Sequence, residues 1–90
     1  MTLQDALFNW LQIKIVAEAR PDDRAAQETM QFFEEILRED HHLEQFAVTS
    51  DETMYRIQYG SAGQLKLQMY DRESAEQLLS DINSNPKYNE

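Results

Sequence analysis

Between Leu3 and Ala19 the apolar positions follow a helical period. At about 100° per residue, Leu3, Ala6, Leu7, Trp10 and Ala17 fall on one stripe with Leu11 beside it; Phe8 and Ile15 lie further round, and Ile13 sits on the opposite edge. Thr2 is placed to cap the start, Asp5 lies in the first turn, and Pro21 follows the end. The apolar arc spans roughly 240°, against the ~100° that a surface helix needs to meet one core. Such a helix is either central in the fold or shared with a second molecule. Lys14 lies within the arc, where its stem can pack while its ammonium reaches water.

A second helical pattern begins at Asp22 or Asp23 and runs to about Asp40. Ala26, Met30, Phe33 and Leu37 recur at i, i+4, i+7 and i+11, with Ile36 alongside and Gln27, Glu28, Gln31, Glu34, Glu35 and Arg38 on the other side. The short link Arg20-Pro21-Asp22 predicts an antiparallel αα-hairpin.

The period then changes to two. Glu44–Ser50 puts Phe46 and Val48 on one face, Met54–Tyr59 does so with Tyr55, Ile57 and Tyr59, and Gln64–Tyr70 with Leu65, Leu67 and Met69. Asp51-Glu52-Thr53 and Gly60-Ser61-Ala62-Gly63 are hairpin-length separators. A three-stranded antiparallel meander follows, with all eight of those apolar residues turned inward. Gln45, Ala47, Thr49, Met54, Arg56, Gln58, Gln64, Lys66, Gln68 and Tyr70 are then expected on the outer face. Asp71 caps a last helix over about Arg72–Asn83, with Ala75, Leu78, Leu79 and Ile82 inward, and Pro86 closes it. The order ααβββα defines an α+β domain: a meander with the αα-hairpin and the C-terminal helix packed on one face. One domain is expected over 1–85, with 86–90 a flexible tail.

Charge changes this picture. The chain of 90 residues carries 8 basic and 17 acidic residues, net −9. From Glu18 to Glu52 there are eleven acids and three bases, which places −8 of the −9 in that stretch. Asp22, Asp23, Glu28, Glu34, Glu35, Glu39 and Asp40 form its acidic patch. A field of this sign repels phosphate backbones and anionic lipid, so direct binding to nucleic acid or membrane is not expected. No apolar stretch is long enough to span a bilayer, and Met1-Thr2-Leu3-Gln4-Asp5 lacks the basic start of a secretory signal; a cytoplasmic location is the simplest expectation. Cysteine is absent, which removes thiol nucleophiles, zinc–thiolate sites and iron–sulfur ligation together.

The remaining candidates for chemistry are few. On a continuous helix Glu35, Glu39 and His42 share a face at i, i+4 and i+7, a conceivable two-carboxylate, one-histidine metal site. A solvated helix end, with histidine near the negative pole of the dipole, explains the same residues, and no HExxH-type signature supports a metal. Gly60-Ser61-Ala62-Gly63 lacks the Gly-x-Ser-x-Gly form of a nucleophile elbow. It has the Gly-x-x-Gly spacing of a KH loop, but it lies between two strands of an acidic chain and reads as a turn. No serine has a positioned base and no two carboxylates stand out as an acid–base pair, so no enzyme, cofactor or catalytic residue is expected.

What rises above background is surface. Phe8, Trp10, Ile13 and Ile15 on the first helix are candidate self-association residues. Arg56, Lys66 and Tyr70 mark an outer sheet face free of acids, and both edges of a meander are open to pairing. These features point to a regulatory or adaptor module that binds a protein partner, as a homodimer. The alternative reading of the acidic stretch is an inhibitor that occupies the basic groove of a nucleic-acid-binding protein.

Overall fold

The structure, a computed structural model, describes residues 1–61 and 63–84. The chain forms α1 (Leu3–Ala19), α2 (Arg24–Glu35) with a π-helical turn over Ile36–Asp40, β1 (Gln45–Ser50), β2 (Met54–Ser61), β3 (Gln64–Asp71), α3 (Arg72–Ala75) and α4 (Gln77–Ser84). The sheet is an antiparallel meander of order β1-β2-β3. The α+β architecture and the order of elements agree with the sequence pattern, and the expected tail 86–90 lies outside the described residues.

α1, α2 and α3 each start where a side chain can satisfy a free amide. Thr2 Oγ1 accepts from the Asp5 amide at 3.1 Å, Asp23 from the Ala26 amide at 3.0 Å, and Asp71 from the Ser74 amide at 2.9 Å. Asp23 also pairs with Arg20 at 3.1 Å, which braces the turn between α1 and α2. The end of the α2 segment is less regular. The Leu43 amide reaches back six residues to the Leu37 carbonyl at 3.0 Å, and His42 takes a φ of 58° where a glycine is usual. The C-terminal segment is also less regular than expected, broken at Glu76 into α3 and α4.

The wide apolar arc of α1 is explained by its central position. Ala6, Leu7, Trp10, Leu11, Ile13, Val16 and Ala17 are all buried, and α1 packs against α2, α3 and α4 as well as over the sheet. Its N-terminal half joins Leu37, Leu43, Ile57, Tyr59 and Ala75 in one core. Ile13, Val16 and Ala17 join Ala26 in a second, flanked by Leu78, Leu79 and Ile82 of α4. Side chains such as Leu7, Leu11 and Ile57, each 0% exposed, contribute about 1.5–3 kcal/mol apiece through removal from water.

The sheet departs from expectation in β3. Tyr59 pairs with Lys66, Ile57 with Gln68 and Tyr55 with Tyr70, while Gln58 pairs with Leu67 and Arg56 with Met69. Directly paired residues share a face, so Lys66, Gln68 and Tyr70 lie on the helix side. Leu65, Leu67 and Met69, expected inward, lie on the outer side at 43%, 57% and 45% exposure. The turn sets this phase. Ser61 pairs with Gln64, which leaves a two-residue loop, and a register one residue different is what it would take to reverse every β3 side chain. Gly60 and Gly63 adopt φ of 150° and 80°, and a Cβ on Gly60 would stand 2.1 Å from the Gln64 carbonyl oxygen. The turn thus relies on glycine at position 60.

Candidate interaction surface

The outer face of the sheet is assembled from alternate residues of all three strands: Gln45, Ala47 and Thr49 from β1, Met54, Arg56 and Gln58 from β2, and Leu65, Leu67 and Met69 from β3. No acidic side chain occurs among these nine in a chain of net −9; the acids of this face, Asp71 paired with Met54 and Asp51 bonded to Arg56, lie at its Met54 end. Arg56 is tied to Asp51 by an ion pair, and Asp51 itself is fixed by the Thr53 and Met54 amides at 2.9 and 2.8 Å. Those two amides, followed by the Arg56 guanidinium, hold the Asp51 carboxyl well below the usual range. Leu65 pairs across to Gly60, which has no side chain to cover it. The result is an apolar strip on an edge strand, bordered by amides, a hydroxyl, one arginine and, at the Met54 end, Asp51 and Asp71.

The residues singled out by sequence fall in different places. Arg56 is on the outer face as expected. Lys66 and Tyr70 are not: both belong to the helix side, because the register reverses the phase of β3. Tyr70 stacks on Phe8 with ring centroids 5.1 Å apart, and burial raises its phenol above the ordinary value. Trp10 and Ile13, at 2% and 8% exposure, lie inside the chain. Trp10 meets Phe46 edge-on at 4.9 Å and donates its indole N–H to Glu34 at 3.2 Å. Phe8 and Ile15 are half-buried, Ile15 packing on the main core. Helix 1 is thus occupied by its own chain.

The acidic patch divides in the same way. Asp23 is a cap, held low by the Ala26 amide and then by Arg20, and Glu34 serves Trp10. Asp22, Glu28, Glu35, Glu39 and Asp40 are exposed. The helical face that would gather Glu35, Glu39 and His42 is not built, because the π turn and the left-handed His42 intervene. Among the described residues no group of three histidine, aspartate or glutamate side chains is placed to hold a metal.

Other polar groupings serve the fold. Tyr55 donates to Glu76 at 2.6 Å, and Arg72 reaches Glu76 at 2.7 Å, the Asp51 carbonyl at 2.8 Å and the Tyr55 ring at 4.9 Å. This clamp ties the start of β2 to α3. It lowers the Glu76 carboxyl through Tyr55 and then Arg72, while burial and then Glu76 raise Tyr55. A groove of about 500 Å³ opens between α1, β1 and α4, lined by Leu11, Ile15, Val48, Tyr55 and Leu79 with the Lys14–Glu18 pair at its border. Thr49 and Ser50 of β1 also line it.

Sequence reasoning recognised the outer sheet face but gave it the wrong side of β3. The signal that identifies the right side is parity. With Tyr55, Ile57 and Tyr59 inward, any hairpin loop of two or four residues sends even-numbered β3 residues inward. Comparison with protein-family models, with curated proteins and with solved structures finds no match to this chain. No helix among the described residues is long and apolar enough to cross a membrane.

Proposed function

We propose that this chain is a cytoplasmic, non-enzymatic protein–protein interaction module that docks through the outer face and free edge of β3. One observation carries the reading: three consecutive outward positions of an edge strand are Leu65, Leu67 and Met69, each more than two-fifths exposed. An exposed apolar side chain alone is ordinary, but an apolar row beside unpaired backbone invites strand addition. The face carries acids only at its Asp51 and Asp71 end, which favours protein contact around Leu65, Leu67 and Met69 over the rest of this negative surface. The absence of cysteine suits a reducing compartment.

A photoreactive phenylalanine analogue placed at Leu67, and in a second version at Glu28, tests the reading in the cells that make the protein. Protein adducts at Leu67 and not at Glu28 are expected. An equal yield at both positions, or none at Leu67, contradicts docking through β3.

A second reading rests on Phe32, which is 56% exposed on α2 with Glu28 and Glu35 at i−4 and i+3. An aromatic side chain among acids suits a basic partner, in keeping with an inhibitor of a nucleic-acid-binding protein. Adducts at Glu28 that disappear with salt and with competing RNA or DNA favour this alternative.

A further inference from the structure

We infer that the occupant of the β3 surface is a second copy of this chain, joined edge to edge and antiparallel about a two-fold axis at Leu67. This inference rests on the proposed docking role of β3 and names its partner.

The backbone supplies the first argument. The Arg72 amide donates to the Thr53 carbonyl at 3.0 Å, continuing the β2–β3 ladder past its end. Hydrogen-bonded pairs alternate along an antiparallel ladder, so Gln64, Lys66, Gln68 and Tyr70 bond to β2. Leu65, Leu67 and Met69 therefore direct their N–H and C=O groups to the free edge. The residues with unpaired backbone are the same ones whose side chains are exposed.

The second argument is self-complementarity. About Leu67 the strand reads Gln64-Leu65-Lys66-Leu67-Gln68-Met69-Tyr70. Folded onto a copy of itself, Leu67 faces Leu67, Leu65 faces Met69, and Lys66 faces Gln68. Every apolar outward residue meets an apolar one. A two-fold interface requires this reciprocity, in which i meets j and j meets i. A shift of the axis to Lys66 sets two ammonium groups opposite one another, which opposes that register.

Charge supplies the third. Lys66 is the sole charged residue from Gln64 to Tyr70, so this segment is positive in a chain of net −9. Two such molecules repel through most of their surfaces, and pairing over Gln64–Tyr70 sets no acid opposite another, each Lys66 facing a Gln68. Joining there merges two three-stranded sheets into one of six strands and leaves the helices on the opposite face.

The absence of cysteine makes the register directly testable. At the axis, Cα atoms of the two Leu67 residues lie about 5.5 Å apart, within disulfide reach, whereas the two Leu65 residues lie about 14 Å apart. Sedimentation equilibrium on the full chain is expected to show twice the chain mass at about 100 μM. Leu67→Lys is expected to restore the single-chain mass with an unchanged circular dichroism spectrum. Under mild oxidation Leu67→Cys should link to itself, and Leu65→Cys and Met69→Cys should link only when mixed. A single-chain mass for the wild type, or self-linking of Leu65→Cys as fast as of Leu67→Cys, overturns the inference. If the wild type is monomeric yet position 67 gives adducts with a foreign protein, the second copy is excluded and the docking role stands. A monomer that gives no adducts there removes both.

Discussion

Removing the same atoms from two leucines in different surroundings tests the orientation of β3 through stability. Leu11 is 0% exposed in the main core, and Leu67 is 57% exposed on the outer sheet face. Leu11→Ala loses the transfer energy of the deleted carbons and leaves a cavity, a cost of about 3–5 kcal/mol. Alanine suits a helix, so propensity offsets little of this. At position 67 less than half of the ~2 kcal/mol transfer difference applies, and no cavity forms, so Leu67→Ala costs about 0.5–1 kcal/mol. Trp10, the single tryptophan and 2% exposed, reports unfolding by its emission. In urea the slope for a chain of this size is about 1 kcal/mol per molar. The midpoint should fall by about 3–5 M for Leu11→Ala and by less than about 1 M for Leu67→Ala. Measurement near 1 μM keeps the contribution of self-association small. Equal shifts for the two variants would mean that Leu67 is buried and that β3 has the opposite register.

Three further outcomes follow from the turns and caps. His42→Gly should raise stability by about 0.5–1 kcal/mol, because the left-handed φ of 58° is costly for histidine and free for glycine; an unchanged or lower urea midpoint contradicts the assigned cap. Gly60→Ala should cost about 3 kcal/mol or more, since the new Cβ would meet the Gln64 carbonyl, while Gly63→Ala, with open space around it, should cost only about 1 kcal/mol; similar melting temperatures for the two contradict the turn geometry. Asp23, Asp51, Asp71 and Glu76 are all held below their ordinary values of 3.8 and 4.5, so the unfolded chain binds more protons than the folded one as acid is added. Their stabilisation is fully present above about pH 5 and is lost as pH falls through the lowered values, so the melting temperature should hold from pH 7 to 5 and drop below pH 4; a rise below pH 4 contradicts those contacts.

The sequence was a good guide wherever one local rule decided the outcome. The helical period of α1, Thr2 and Asp71 as caps, and the three alternating strands are all read from neighbours within a few residues. The two explanations of the wide α1 arc needed the fold to separate them, because burial by one's own chain and burial by a partner leave the same pattern. The phase of β3 was missed for a related reason. Leu65, Leu67 and Met69 have the period of a strand, but which face they occupy depends on the loop count between Tyr59 and Lys66. Apolar residues are normally turned to the core, and here they are not, so the failure of that rule is itself the mark of the surface. The end of α2 was hidden differently. Neither Gly nor Pro signals the π turn, and His42 takes a conformation that composition does not announce.

Amide hydrogen exchange along β3, followed as a function of protein concentration, tests the central claim most directly. In dilute solution the Lys66, Gln68 and Tyr70 amides, bonded to β2, should be protected, and the Leu65, Leu67 and Met69 amides, facing the free edge, should exchange rapidly. As concentration rises, the second set should become protected together, with the first unchanged. Protection of Leu67 in dilute solution, or rapid exchange of Leu65, Leu67 and Met69 at every concentration, contradicts pairing of two chains through β3.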